Sequence, residues 1–163
     1  QTTANTIWPT PLGGGPFDVR VARYPAKAAT RYDLPRNVAI DLRYSGIDDD
    51  PAATWGGLAN KGAIAVSFDS VGGVDALMQQ VLGPAASRTV QPTRPASPVY
   101  LLVGLQTDVE TDKSLSTDSS LWVVIQPQSG RVTVSANVGQ AARTAAALRA
   151  ARAKARATLA IGK

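Results

Sequence analysis

Twelve acidic side chains, with no histidine and no cysteine beside them, decide which chemistry this chain can attempt. Without histidine there is no Ser-His-Asp or Cys-His relay and no usual general base, and most zinc sites are excluded. Without cysteine there are no disulfides and no thiol chemistry. Oxygen ligands remain. Asp108, Glu110 and Asp112 alternate along the chain. On an extended segment alternate residues share a side, so these three carboxylates would converge on a calcium ion. Nothing else in that stretch completes the oxygen shell that calcium takes. Asp48, Asp49 and Asp50 are consecutive, which suits a solvated loop better than the alternating ligands of a calcium loop. Paired carboxylates can hydrolyse glycosides, but that reaction wants an aromatic-lined cleft, and the few aromatics here sit mostly on expected core strands. Gly13, Gly14 and Gly15 are followed by no Gly-Lys-Ser/Thr and no strand-to-helix context, so they do not form a phosphate loop. The expectation is a protein that is not an enzyme, with no cofactor other than calcium at Asp108, Glu110 and Asp112.

The positive charge is concentrated at one end. Net charge is +5, and every acidic residue lies at or before Asp118. The chain up to there is about −2 and the rest about +7. Arg143, Arg149, Arg152, Lys154 and Arg156 fall in an alanine-rich segment, 139–163. Alanine and arginine both favour helix. The arginines spread around the circumference, so no wide apolar face is expected. A basic helix of this kind would neutralise phosphates, which makes a nucleic-acid-binding module the alternative function. It has no interleaved aromatics for base stacking, and its leucines and isoleucine are too sparse for a membrane-surface helix.

The elements that would position these groups are mostly strands. The clearest local structure is 121–134. Residues 121–125 are β-branched and aromatic, and apolar on both faces, which predicts a central strand covered on both sides. Val132 and Val134 share one face of the next strand. Between them, Pro127, Gln128, Ser129 and Gly130 make a turn, proline presetting φ and glycine tolerating the left-handed region. Alternation predicts strands at 17–24 and around Val38, Ile40 and Leu42, with Ala39, Asp41 and Arg43 opposite. Residues 63–68 and 98–106 read as strands, and 74–82 as a strand or one short helix. Residues 45–57, 83–97 and 107–120 read as loops, the second proline-bearing and the third polar. Trp55 is expected to anchor its loop, and Trp8 and Trp122 to anchor loop or core. The domain reading is an extended segment at 1–16, a β-rich globular domain at 17–138 and a basic helical tail at 139–163. Strands followed by one helix, with no βαβ alternation, predict a mainly β fold: an antiparallel, sandwich-like sheet with a C-terminal helix.

The hairpin also carries a family resemblance. Ile125, Pro127, Ser129, Gly130 and Val132 spell a strand ending in Ile-x-Pro-x-Ser-Gly-x-Val. This resembles bacterial type IV pilin-like proteins, in particular the minor pseudopilin of the H type from type II secretion and pilus assembly. Leu34-Pro35-Arg36-Asn37-Val38-Ala39-Ile40-Asp41-Leu42 and Pro98-Val99-Tyr100-Leu101-Leu102-Val103-Gly104 are similar to segments of that group. The likeness spans about 17–138. It implies a non-enzymatic structural head whose partners are other pilin-like subunits or secretion-system components. It also implies a cell-envelope location, periplasmic or extracellular, anchored at the inner membrane. The loops 45–57, 83–97 and 107–120 are the expected contact surfaces. One departure stands out. Pilins begin with a long apolar helix, and none is present here; the expectation is that it precedes Gln1, where no signal peptide is visible.

Overall fold

The computed structural model describes residues 19–20, 31–32, 34–56, 64–82 and 88–157. The extended segment expected at 1–16 lies outside them, as does most of the strand expected at 17–24, where only β1 (Val19–Arg20) is described, paired with β2 (Arg31–Tyr32). The other strands are β3 (Val38–Ile47), β4 (Ile64–Phe68), β5 (Val74–Leu82), β6 (Arg88–Thr93), β7 (Val99–Leu105), β8 (Leu121–Ile125) and β9 (Val132–Ala136). Two helices are described, α1 (Gln106–Glu110) and α2 (Ala145–Ala157). The fold is mainly β: a four-stranded antiparallel sheet in the order β3-β7-β8-β9, a three-stranded antiparallel sheet β4-β5-β6, and the C-terminal helix.

The four-stranded sheet is the middle layer. Alternation sends Tyr100 and Leu102 of β7, and Trp122 and Val124 of β8, to one face. There they pack with Leu115 and with Leu148, Ala151 and Ala155 of α2. Tyr100 and Trp122 meet edge to face, centroids 6.2 Å apart, the arrangement that ring quadrupoles favour. The opposite face offers Ile40, Leu42, Val99, Leu101 and Ile125 to Val74 and Leu77 of β5 and Ile64 and Val66 of β4, with Trp55 filling the edge. This explains why β8 is apolar on both sides.

Several elements differ from the sequence expectation. Residues 83–97 contain a strand, β6; Pro92 sits on it without harm because β6 is an edge. Residues 74–82, expected as a strand or one short helix, are strand throughout, so there the first alternative holds. The stretch expected as a loop from 107 begins inside a short helix, α1, whose first amide, Gln106 N, donates to Asn37 O. Strand β3 runs on through Ser45 to Ile47, past a bulge between Asp41 and Gly46. Ser45 heals the bulge: its hydroxyl donates to Asp41 O at 2.7 Å and accepts from Leu102 N at 2.9 Å.

Helix α2 has no wide apolar face, as expected, but it does bury one narrow side. Leu148, Ala151, Arg152 and Ala155 are buried, at the i, i+3, i+4, i+7 spacing of one helix side. The stripe is narrow in side-chain volume because alanine supplies it. Thr144 caps the helix, its Oγ1 accepting from Ala147 N at 3.2 Å. Lys154 and Arg156 lie in the last turn, where cations suit the helix dipole.

Two glycines are required where two turns meet, Gly72 by its positive φ and Gly130 by a close approach as well. The β8–β9 turn lies against the β4–β5 turn, where Val74 N donates to Pro127 O at 2.7 Å. Gly130 has φ +59° and Gly72 φ +94°, and a Cβ on Gly130 would overlap the Gly72 carbonyl.

Candidate functional site

Among the described residues, two clusters of charged groups each join sequence-distant elements. The first is built on Asp41, which is 1% exposed on β3. Arg43 meets it from the same strand. The Arg43 backbone N–H and Nε donate to Asp41 Oδ1 at 3.0 and 2.9 Å, and Nη2 donates to Oδ2 at 2.7 Å. Ser114 Oγ also donates to Asp41 Oδ2, and Arg43 Nη2 to Val109 O. The guanidinium then reaches Asp112 Oδ1 at 3.2 Å. Asp112 is shared further: Tyr44 OH donates to its Oδ1 at 2.7 Å and Arg143 Nη1 to its Oδ2 at 2.8 Å. The cluster ties β3 to the segment after α1 and to the approach to α2.

Electrostatics follow the contacts. The Arg43 pKa is raised, chiefly by its hydrogen bond to Asp41 and against the effect of burial. Burial pushes Asp112 up, but the hydrogen bonds from Tyr44 and Arg143 and the two nearby arginine charges outweigh it, and its pKa is lowered.

The second cluster is centred on Arg152, which is fully buried. Its Nη1 donates to the carbonyls of Asp48 and Asp50 at 2.7 and 3.0 Å, and its Nη2 to Tyr44 O at 2.8 Å. The guanidinium carbon lies 5.5 Å from the centre of the Tyr100 ring, within cation–π range. Burial lowers the Arg152 pKa to about 10. Around it, Tyr100 OH donates to Asp49 Oδ1 at 2.8 Å, and Arg156 pairs with Asp49 Oδ2 at 3.0 Å. The 48–50 segment is a loop with Asp48 and Asp50 exposed, as expected from sequence, and its carbonyls in addition clasp α2. Asp48 has φ +65° there, a conformation aspartate tolerates better than most residues.

These placements decide what the candidate residues can do. Asp108, Glu110 and Asp112 do not share an extended side, because the first two lie on α1 and Asp112 follows it with φ +58°. Glu110 accepts from Gln106 Nε2 at 2.7 Å, Asp108 has a 3.4 Å contact from Ser119 Oγ, and Asp112 faces the two arginines. Among the described residues, no three acidic side chains are grouped as metal ligands. Of the five basic residues, Arg143, Arg152 and Arg156 hold partners within the molecule. Lys154 too is not without a partner, and Arg143, Arg149, Lys154 and Arg156 are exposed. The five do not form one phosphate-facing row. Trp55 and Trp122 are buried anchors, as expected; Trp8 lies outside the described residues.

Sequence reasoning passed over Asp41, Ser114 and Asn137. Asn137 is 2% exposed; its Oδ1 accepts from Trp122 Nε1 at 2.9 Å, and its Nδ2 donates to Leu115 O and Thr117 O at 3.0 and 2.9 Å. The one available signal was Asp41 itself, an acid inside an alternating apolar strand. Arg152 Nε is buried without a hydrogen-bond partner; the other contacts of the two clusters join β3, the 48–50 segment, the segment after α1 and α2. Comparison of the chain with protein-family models, curated proteins and solved structures finds no match.

Proposed function

We propose that this chain is a non-enzymatic assembly protein: the head of a pilin-like subunit, of the H-type pseudopilin kind, in a type II secretion or type IV pilus system. It works by contacts with neighbouring subunits or with a transported partner. Its place is the cell envelope, held at the inner membrane by an apolar helix that precedes Gln1. The observation that carries the reading is the Ile125–Val132 turn motif, set at the end of an antiparallel sheet that is covered on both faces and rigidly clasped. Further support comes from the charged groups. Those most buried are engaged in joining elements, which suits a scaffold that displays loops. Exposed stretches such as 92–94 and 116–119 are the surfaces offered to partners.

The test uses the natural gene and its host. Mass spectrometry of the mature protein's N-terminus is expected to find an apolar segment ahead of Gln1. Photo-cross-linkers placed at Arg94 and Asp118 are expected to capture other envelope subunits. A mature chain with no apolar segment before Gln1, recovered without cross-linked neighbours, overturns the proposal.

A further inference from the structure

We propose that β9 is a docking edge, and that its partner is β9 of a second copy of this chain, laid antiparallel about a two-fold axis through Val134. This inference stands apart from the pilin-like reading, because it rests on strand chemistry alone.

The backbone comes first. Among the described residues, β9 ends its sheet and no strand pairs with its outer side. Asn137 N donates to Ser120 O at 2.9 Å, and Gln126 N to Arg131 O at 3.0 Å. Antiparallel ladders alternate, so residues 131, 133, 135 and 137 turn their peptide groups toward β8, while Val132, Val134 and Ala136 turn theirs outward. One outward carbonyl, Ala136 O, has a long 3.4 Å contact from the neighbouring Ser135 hydroxyl. Among the described residues this outward row has no strand partner, and such a row is a template for another strand.

Other edges are blunted in ways that natural sheets use. Strand β3 is bulged, and residues 53–55 lie along its outer side, with Ile47 N bonded to Ala53 O and Trp55 N to Ser45 O. Strand β4 has a register shift at Phe68, and β6 carries Pro92. Strand β9 has an unbroken register with β8 and no proline, glycine or charge. Its apolar side chains stay in water: Val132 is 52% exposed, Val134 60%, and the adjoining Leu121 43%.

The side-chain pattern matches itself. With Val134 on the axis, Val134 faces Val134, Val132 faces Ala136, and Thr133 faces Ser135. One surface of the joint is an aliphatic row of exposed valines, a favourable cross-strand pairing. The ends are complementary in charge. The register sets exposed Arg131 against the second copy's Asn137, beside Gly139, whose N–H holds the Asp118 carboxylate at 2.7 Å. Arg131 of each copy thus comes toward the end that carries Asp118 of the other, and this opposite charge favours a second copy over an arbitrary strand.

The experiment is sedimentation of the full chain over a concentration series, with amide exchange followed in parallel. The mass is expected to rise from 16.9 kDa toward twice that value. Exchange at Val132, Val134 and Ala136 is expected to slow as it rises. Val134→Lys puts like charges on the axis at an exposed site, and it is expected to move the association midpoint at least about tenfold higher. Arg131→Glu is expected to weaken association, and Arg131→Glu with Asp118→Lys to restore part of it. A chain that stays at 16.9 kDa throughout overturns the proposal. So does a dimer whose β9 amides exchange at the same rate at every concentration, or one that Val134→Lys leaves intact. If Val134→Lys fails to fold, exchange in the unaltered chain decides alone.

Discussion

Tyr44 and Tyr100 each donate a hydroxyl hydrogen bond to an aspartate, Asp112 and Asp49 respectively. Burial raises both phenol pKa values, and the hydrogen bond to a carboxylate and its negative charge raise them further. A stability consequence follows with a definite sign. An unfolded phenol ionises near pH 10, roughly its ordinary value. The folded ones keep their protons, so above that pH the unfolded chain binds fewer protons and folding loses stability. Arg152 acts in the opposite sense. Its folded pKa of about 10 lies below the ordinary arginine value, so the unfolded chain takes up the extra proton and stability gains as pH rises above 10. Two phenols against one guanidinium leave a net loss. Unfolding midpoints in denaturant are therefore expected to fall on raising the pH through about 10 to 11. Replacing either Tyr44 or Tyr100 by Phe is expected to leave the tyrosinate absorbance of the folded protein at about pH 11 unchanged. A drop in that absorbance in Tyr100→Phe would show that the buried phenol ionises in place. The local signal at Asp41, an acid inside an alternating apolar strand, did not reveal its partner: its bond with Ser114 spans 73 positions, and nothing in a local alternation pattern encodes that.

Among the elements, α2 and the 48–54 segment depend on each other. Arg152→Met keeps most of the side-chain volume but leaves the carbonyls of Tyr44, Asp48 and Asp50 without their donor. Each buried orphan costs about 1–3 kcal/mol, part of which is regained because the buried cation is no longer desolvated. A net loss of about 3 kcal/mol is expected in urea unfolding, with Arg152→Lys between the two because a point charge cannot serve three separated acceptors. A midpoint unchanged in Arg152→Met would mean that water replaces the guanidinium. The contrast between elements explains what could be read from sequence. The β8–β9 hairpin was legible because its pattern is local: apolar on both faces, proline and glycine in the turn, alternation after it. Strand β6 was hidden by Pro92 and by flanking polar residues, since an edge strand needs neither a continuous ladder nor two apolar faces. Helix α1 was hidden because five residues carry no periodicity, and Asn37 of another element receives its first amide. The buried face of α2 was hidden because alanine adds little to any hydrophobic pattern and the fourth residue of the stripe is an arginine. The clasp could not be anticipated, because its acceptors are backbone carbonyls lying 102–108 positions away.

At the scale of the molecule, the question is whether the strands fold without the basic segment that composition sets apart. Helix α2 covers one face of the central sheet, where Tyr100, Leu102 and Val124 have no exposure and Trp122 has 1%. Burying such a side chain is worth about 1.5–3 kcal/mol. Uncovering half of the four would cost about 3–6 kcal/mol on that scale, before the orphaned carbonyls of the clasp are included. Loss of Arg143 also strips Asp112 of one partner. Typical domains have only about 5–15 kcal/mol in all. A chain ending at Gly139 is therefore expected to lose cooperative unfolding. It should bind a dye that reports exposed apolar surface, and it should lose the near-ultraviolet circular dichroism of Trp122. The control is Arg149→Ala in the full chain: Arg149 is exposed on α2, so that change is expected to shift stability by no more than about 0.5 kcal/mol. If the shortened chain instead unfolds in one sharp transition with its tryptophan signal intact, the two sheets form a self-sufficient domain. The helix would then be an appendage available for binding, and the phosphate-neutralising role weighed for its arginines would regain its footing.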